Sequence, residues 1–540
     1  MFPLDNAKFN HNLATLKPCN LTNHRLLDRC MKKEQAVVLL GSLFVLSACA
    51  ILYELMISTI SSYLLGSSVL HFSITIGLFL SFLGVGAYLS KFLSAPLLPK
   101  FIAIELWLGL AGGFSALILF VGDAWFPNYY FLLTMVIALI GTLAGLEIPL
   151  VTRLLEQSGS LRETIAKVLA FDYLGALAAS LAFPLLLLPL LGNMRAAFFT
   201  GLINWGVGIF NLLLYRRELP RWRPLVLLAA ATGVLLLAGF AFSFRLLAFA
   251  DALQFQDKVV LSQQTPYQRI VVTKWNNDLR LYLNGNLQFS SMDEYRYHEA
   301  LVHMPMLAAA RRDSVLLLGG GDGLALQEIL KYPDVKGVVL VDLDADMVDL
   351  AQRSSLFTQL NGGALEHPKL RRVTADAFQF VKNNAQRFNV ILIDLPDPSD
   401  TALGKLYSTA FYAMVRQSLA LDGVVVTQAT SPFLARKPFW CIHHSMRAVF
   451  PAVLPYQAYV PSFGLWGFQM AFATPMDAAA VKARIQRGLP TLPALRYLTA
   501  DNLYSAFVFD ADTGPVEVPV NTLEQLEILG LYEQSYLEFH

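Results

Sequence analysis

The stretch from Ser314 to Asp344, SVLLLGGGDGLALQEILKYPDVKGVVLVDLD, leaves the second half of this chain few folds to adopt. Val315 to Leu318 is an apolar run of the length of a buried parallel strand. Gly319, Gly320, Gly321 and Gly323 follow as a turn whose backbone can approach a ligand closely. Leu324 to Lys331 reads as a helix that Pro333 ends, and Val338 to Val341 as a second buried strand. That strand delivers Asp342 and Asp344 at its carboxyl end, about 20 residues past the glycines, where doubly wound folds hold a ribose hydroxyl pair. Asp322 stands inside the glycine turn. A carboxylate there repels a pyrophosphate and welcomes a cation. The expected ligand therefore carries a nucleoside and a positive group, as S-adenosylmethionine and its relatives do.

A different constraint governs the first half. Seven apolar segments long enough to span a bilayer lie near 36–62, 69–93, 101–121, 129–152, 165–191, 196–215 and 224–247. The chain is 55% hydrophobic and 15% charged, where a soluble domain carries about a quarter charged residues. Lys91 and Lys100, then Arg153, Arg162 and Lys167, then Arg216, Arg217, Arg221 and Arg223 mark alternate loops, with Arg195 as the exception. The positive-inside rule places these loops and the amino terminus in the cytoplasm. The expectation is a multi-pass protein of the plasma or inner membrane, with the lipid bilayer as its partner. Seven crossings leave the second half outside, yet a nucleoside-using enzyme is expected beside its substrate pool, so the side it faces stays open. Residues 1–34 are polar and basic and read as a partly disordered cytoplasmic arm, with no cleavable signal ahead of the first apolar run. Glu54, Glu147 and Asp172 lie inside apolar segments. Intramembrane carboxylates usually face a cavity or a partner, and these three are candidates for a cation path or cation site. The alternative is that they are buried partners of Tyr, Ser or Thr.

The remaining divisions follow from pattern. Residues 35–248 form the membrane domain, and 249–309 a small β subdomain with a linking helix capped near Ser291 or Asp293. Residues 310–475 form a Rossmann-like α/β domain, and 476–540 a tail with no readable motif. In such a domain ligands lie beyond the carboxyl ends of the strands. Those ends supply Asp322, Asp342, Asp376, Asp394 and Asp397. Five converging carboxylates would bind a sulfonium and an amine, and one of them must take a proton before the nitrogen can attack. Asp394, which ends the buried run Val390 to Ile393, is the best base. Cys19, Cys30, Cys49 and Cys441 show no metal or disulfide spacing, and a net charge of +1 gives no nucleic-acid footprint. No metal is expected.

The second half resembles the spermidine synthases, the polyamine aminopropyltransferases, and the whole layout resembles the membrane-anchored bacterial branch of that family. The resemblance rests on YQRI, LYLNGNLQFSSMDEYRYHE, LLLGGGDGLALQE, VLVDLDADMV, DAFQFV, VILIDLPDP, LYSTAFY and GLWGF, which cover most of 262–475 in order. It implies transfer of a 3-aminopropyl group from decarboxylated S-adenosylmethionine, a co-substrate rather than a cofactor, to putrescine or another small polyamine. It implies Asp394 as general base and Asp322, His298 and Asp397 near the acceptor amine. It implies Asp342 on the ribose, Asp376 and Ala377 at the adenine, and Gln268, Gln288, Gly319 and Gly321 around the donor nucleoside. A homo-oligomer is the family expectation. This sequence departs from the family pattern in having Asp342 where Glu is usual, Ala377 where Gly is frequent, and Ser399-Asp400-Thr401-Ala402-Leu403-Gly404 after the D-x-x-D-P. Two other readings compete: a polyamine transporter or sensor whose soluble half binds without turnover, and a methyltransferase.

Overall fold

A computed structural model describes residues 33–65, 68–126, 128–156, 161–219, 222–493 and 495–539. The basic arm expected over 1–34 lies almost wholly outside the described residues, as do Cys19, Cys30 and Arg221. The apolar segments form helices, since a backbone shielded from water must satisfy its own hydrogen bonds. They are α1 (Lys33–Leu65), α2 (Ser68–Leu89), α3 (Leu98–Trp125), α4 (Tyr129–Gly145), α5 (Glu147–Leu155), α6 (Leu161–Ala182), α7 (Leu188–Leu214) and α8 (Trp222–Ala241). A further helix, α9 (Ser243–Gln254), carries the bundle past the boundary expected at 248. Small residues let backbones touch: Gly109 on α3 and Gly201 on α7 are so close that a side chain on either would strike the other's carbonyl. The outward surface is apolar, with Leu80, Tyr88, Trp107, Leu139, Leu190 and Leu227 among its exposed side chains.

Among the described residues six apolar helical stretches are long enough to cross a membrane, and the longest, Leu161–Leu214, is two arms. Gly192 breaks it with φ +66°. On one arm Val168 packs in a cluster with Leu39 and Leu43, Ser47 Oγ donates to the Asp172 carbonyl at 2.8 Å, and Phe183 packs in the cluster that holds Ile57 and Ile60. On the other, Thr200 sits by Cys49 and Asn211 by Ser42. The first arm therefore runs with α1 and the second against it. Leu39 and Leu40 near the start of α1 share a core cluster with Leu93, Leu155 and Tyr215 beside the basic loops, whereas Ala250 of α9 packs in another cluster with Ile57 and Ile60 near the end of α1.

Next comes an antiparallel sheet of β1 (Lys258–Gln264), β2 (Arg269–Trp275), β3 (Asp278–Leu283) and β4 (Asn286–Ser290). Its turns at Asn276 and at Asn284-Gly285 adopt positive φ, which Asn and Gly tolerate best. Helix α10 (Glu294–Ala308) links this sheet to the α/β domain. Asp293 begins it, but its carboxylate accepts from Ser462 N (2.6 Å) and Oγ (2.9 Å) rather than capping the helix.

The larger sheet contains β5 (Ser314–Gly319), β6 (Gly337–Asp342), β7 (Leu370–Thr374), β8 (Phe388–Asp394), β9 (Leu419–Gln428), β10 (Ala452–Val460) and β11 (Gly464–Phe472). Their spatial order is β10-β11-β9-β8-β5-β6-β7, parallel from β7 to β9. Helix α11 (Leu324–Ile329) follows β5, and α12 (Ala345–Arg353) follows β6. Strand order reverses between β5 and β8, where Gly319 is registered against Asp394. That switch point is where an open α/β sheet forms its binding crevice. The tail is not a bare appendage. It ends in the helix Glu527–Phe539, whose Ile528 is buried in the core on one face of this sheet.

Candidate active site

The glycine turn is shaped by the acids around it. Gly319, Gly320 and Gly323 take positive φ. A side chain on Gly319 would collide with the carbonyl of Asp394. A Cβ on Gly321 would sit 2.6 Å from Asp342 Oδ2. The turn is glycine because two strand-end aspartates are packed against it.

Asp394, at the end of β8, accepts a hydrogen bond from Tyr297 Oη at 2.6 Å. Burial raises its pKa, while the charge of His298 and the Tyr297 bond lower it, leaving it above the usual carboxylate range. Asp322 accepts from the Leu324 amide at 2.9 Å. Burial lifts it to about 6, with His298 opposing and Asp394 assisting. Asp342 accepts from the Asp344 amide at 2.9 Å and is likewise lifted by burial to about 6. Asp397 accepts from Tyr532 Oη (2.9 Å) and Gln428 Nε2 (3.2 Å), and burial raises it to about 6 against both bonds.

His298 is buried on α10, its Nδ1 2.8 Å from Glu294 Oε2. Burial opposes its charge. The Glu294 bond and the charges of Glu294, Asp322 and Asp394 prevail and raise it to about 9. An imidazolium thus sits among acids that would otherwise repel each other.

Of the five strand-end carboxylates, Asp376 stands apart. It caps the helix Ala377–Asn383 through Gln379 N, and its other oxygen is 2.8 Å from Lys405 Nζ. Burial is outweighed by these partners and its pKa is lowered. Lys405 therefore balances Asp376, while His298 is the cation facing Asp322 and Asp394. Ala377 is buried at the start of that helix.

Gln268 and Gln288 approach from the small sheet. Gln268 Nε2 donates to Asp344 Oδ2 at 2.8 Å, and Thr265 Oγ1 does the same. Asp344, buried, caps α12 directly after Asp342. Gln288 donates to the Asn286 carbonyl at 3.1 Å. Arg269, next to Gln268, forms a buried ion pair with Asp251 of α9 and lies over the rings of Tyr63 and Phe120. Consecutive residues thus tie the small sheet to Asp344 of the α/β domain and to the helical bundle.

Tyr297 and Glu294 lie within the stretch LYLNGNLQFSSMDEYRYHE without being singled out there, and Lys405, Gln428 and Tyr532 lie outside every motif, yet all five carry much of this geometry. A chamber of about 1060 Å³ lies between the bundle and the second half, reaching down α1 to Leu55. Ser399, Asp400, Thr401, Gln268 and Tyr532 are in its wall, so it shares a partition with the crevice. Asp400 fixes that loop by accepting from Leu403 N at 2.8 Å. Among the membrane-segment candidates, Glu54 and Glu147 are buried, and Asp172 lies beside Ser47.

Residues 294–483 match the Spermine/spermidine synthase domain family. A polyamine aminopropyltransferase of Leptospira interrogans is 41% identical over 499 residues, covering 92% of this chain and 98% of that protein. Polyamine aminopropyltransferase 2 of Ralstonia nicotianae is 42% identical, covering 94% and 99%. A crystal structure of spermidine synthase in complex with the transition state analogue AdoDATO is 26% identical, covering 47% of this chain and 85% of that one, with a TM-score of 0.43. With relatives matched along nearly their whole length, this chain belongs to the polyamine aminopropyltransferase family.

Proposed function

We propose that the chain transfers a 3-aminopropyl group from decarboxylated S-adenosylmethionine to putrescine, with Asp394 as general base. One observation carries the reading: Asp394 stands at the switch point, fixed by Tyr297, in a buried crevice shared with Asp322, Asp342 and Asp397. The amine lone pair forms a C–N bond at the carbon next to the sulfonium. The C–S electron pair returns to sulfur, methylthioadenosine leaves as a neutral thioether, and the proton lost by nitrogen goes to Asp394. A base raised toward neutrality suits that transfer. Alignment of amine and sulfonium supplies roughly 7 to 11 kcal/mol at best, so no metal or cofactor is needed. In this reading Asp342 holds the ribose, Asp376 and Ala377 border the adenine, and Gln268 and Gln288 flank the nucleoside. Gly319 and Gly321 permit its close approach. Asp322, His298 and Asp397 receive the acceptor amine.

The bundle is assigned to the plasma or inner membrane. Its apolar outer surface and the six apolar helical stretches long enough to cross a bilayer among the described residues support this.

The test is release of methylthioadenosine by detergent-purified protein given decarboxylated S-adenosylmethionine with putrescine, cadaverine or spermidine. Asp394→Asn should lower turnover about 10²- to 10⁴-fold while keeping donor affinity. Near-normal turnover removes Asp394 as the base, and methyl transfer from S-adenosylmethionine itself would favour a methyltransferase.

A further inference from the structure

We infer, resting on the assignment of the bundle to a membrane, that the chamber between the bundle and the second half binds the phosphate head group of a membrane lipid, with Arg195 as its anchor. Arg195 follows the break of the long helix at Gly192 and stands in the chamber wall. Its guanidinium carbon lies 4.6 Å from the centre of the Phe244 ring and 5.0 Å from that of Phe240. Contact with ring faces leaves the N–H edges of a guanidinium available. Arg195 is half-buried, its Nε has no hydrogen-bond partner, and it forms no ion pair among the described residues.

Neighbours in the same wall are short of partners too. Asn193, two residues before Arg195, is buried with Oδ1 unbonded, and Arg269 is buried with Nη1 unbonded. Buried polar atoms are almost always bonded. The bundle and the small sheet approach each other at two places around this wall. A side chain on Gly192 would begin 3.8 Å from Gln264 Cβ, and one on Gly285 would begin 3.9 Å from Tyr63 Oη. The acids of the wall do not neutralise Arg195. Asp400 accepts from Leu403 N at 2.8 Å, Glu533 is exposed on the last helix, and neither forms an ion pair with it.

Charge and rim together select the ligand. An unpaired arginine at the edge of an apolar bundle is costly and calls for an anion. A guanidinium presents its N–H groups in a planar fork that matches phosphate. Leu190 and Phe244 belong to the chamber wall and are also 75% and 66% exposed, as part of the apolar outer surface of the bundle. Apolar rim and cation therefore stand side by side, in the order in which a phospholipid presents its chains and its phosphate. A soluble anion has nothing to place against that rim. A hydroxyl or ammonium beyond the phosphate offers Asn193 Oδ1 the donor it lacks. The volume of about 1060 Å³ is ample for such a head group.

Native mass spectrometry of detergent-purified full-length protein tests the site, with phosphatidylglycerol, diacylglycerol and inorganic phosphate offered separately. Phosphatidylglycerol should be retained, and diacylglycerol, which has the chains without the phosphate, should not. Arg195→Gln should weaken that retention about tenfold or more. Arg216→Gln, which removes a cation stacked on Trp222 outside the chamber wall, should leave it unchanged. Unaltered retention in Arg195→Gln overturns the site, and so does an equal loss in Arg216→Gln or equal retention of diacylglycerol. Arg195-dependent binding of inorganic phosphate without retention of the lipid overturns the lipid as occupant and leaves an anion site. If Arg195→Gln does not fold, Asn193→Ala keeps the cation and should weaken retention roughly threefold or more; no effect there counts against the site. Lysis without detergent separates the two readings. Protein in the membrane fraction that retains no lipid removes the site alone, whereas protein in the soluble fraction removes the membrane assignment itself.

Discussion

Tyr297 and Asp394 are joined by a 2.6 Å hydrogen bond in which the phenol donates to the carboxylate, from helix α10 to the end of strand β8. The bond favours the charged form of a buried acid whose surroundings favour the neutral one. Tyr297→Phe should therefore push the Asp394 pKa higher. A hydrogen bond to a charged group is worth about 1.5 to 3 kcal/mol, so turnover should fall roughly tenfold or more near neutral pH. The acid limb of the kcat profile should move to higher pH. An unmoved limb would show that the bond does not tune the base.

Tyr532 reaches Asp397 from the last helix of the chain. Removing its hydroxyl should leave donor binding alone and disturb the acceptor side of the crevice. Tyr532→Phe is expected to raise KM for the amine several-fold, up to about tenfold, with KM for the donor unchanged. Steady-state kinetics with each substrate varied in turn distinguish this from general damage, which would raise both.

Gly321 owes its identity to Asp342 rather than to backbone strain, because it is not among the glycines of positive φ. In Gly321→Ala the new Cβ must displace the Asp342 carboxylate. Donor affinity should fall about tenfold, measured by titration with methylthioadenosine, while thermal stability stays close to that of the parent. Equal donor affinity would mean that Asp342 does not touch the nucleoside.

His298, raised to about 9 in the folded chain, has an unfolded value of about 6.5. Its contribution to stability is therefore complete below about 6.5 and is lost as pH rises through about 9. Asp322, Asp342 and Asp397, raised to about 6, act in the same direction. Their charged forms are disfavoured by the fold, so the fold gains as pH falls through about 6 toward about 4. Without substrates, the unfolding temperature should drop between about pH 4 and pH 9, and His298→Asn should flatten the part of that slope above about pH 6.5. An identical slope in the variant would contradict the ion pair with Glu294.

The parallel strands were legible because strands buried on both faces are continuous apolar runs, and their carboxyl ends point at one crevice. Asp322, Asp342 and Asp394 follow from that rule alone. Their partners do not. Tyr297 is 97 residues from Asp394, and Tyr532 is 135 residues from Asp397. Lys405, which neutralises Asp376, reads in sequence as a loop lysine. Such contacts arise only once helices pack across the sheet, and periodicity says nothing about them. The tail carried no motif because its role is to pack and to supply one hydroxyl.

The chamber between the two halves changes the arithmetic of encounter. A single molecule confined to about 1060 Å³ is present at a local concentration on the order of 1 M. Anything held in that space meets every group in its wall at molar strength. Released into open solvent instead, the same molecule would be diluted beyond the reach of any weak contact. A protein that keeps such a room beside its catalytic crevice can hand a product onward with groups too feeble to capture it from the bulk.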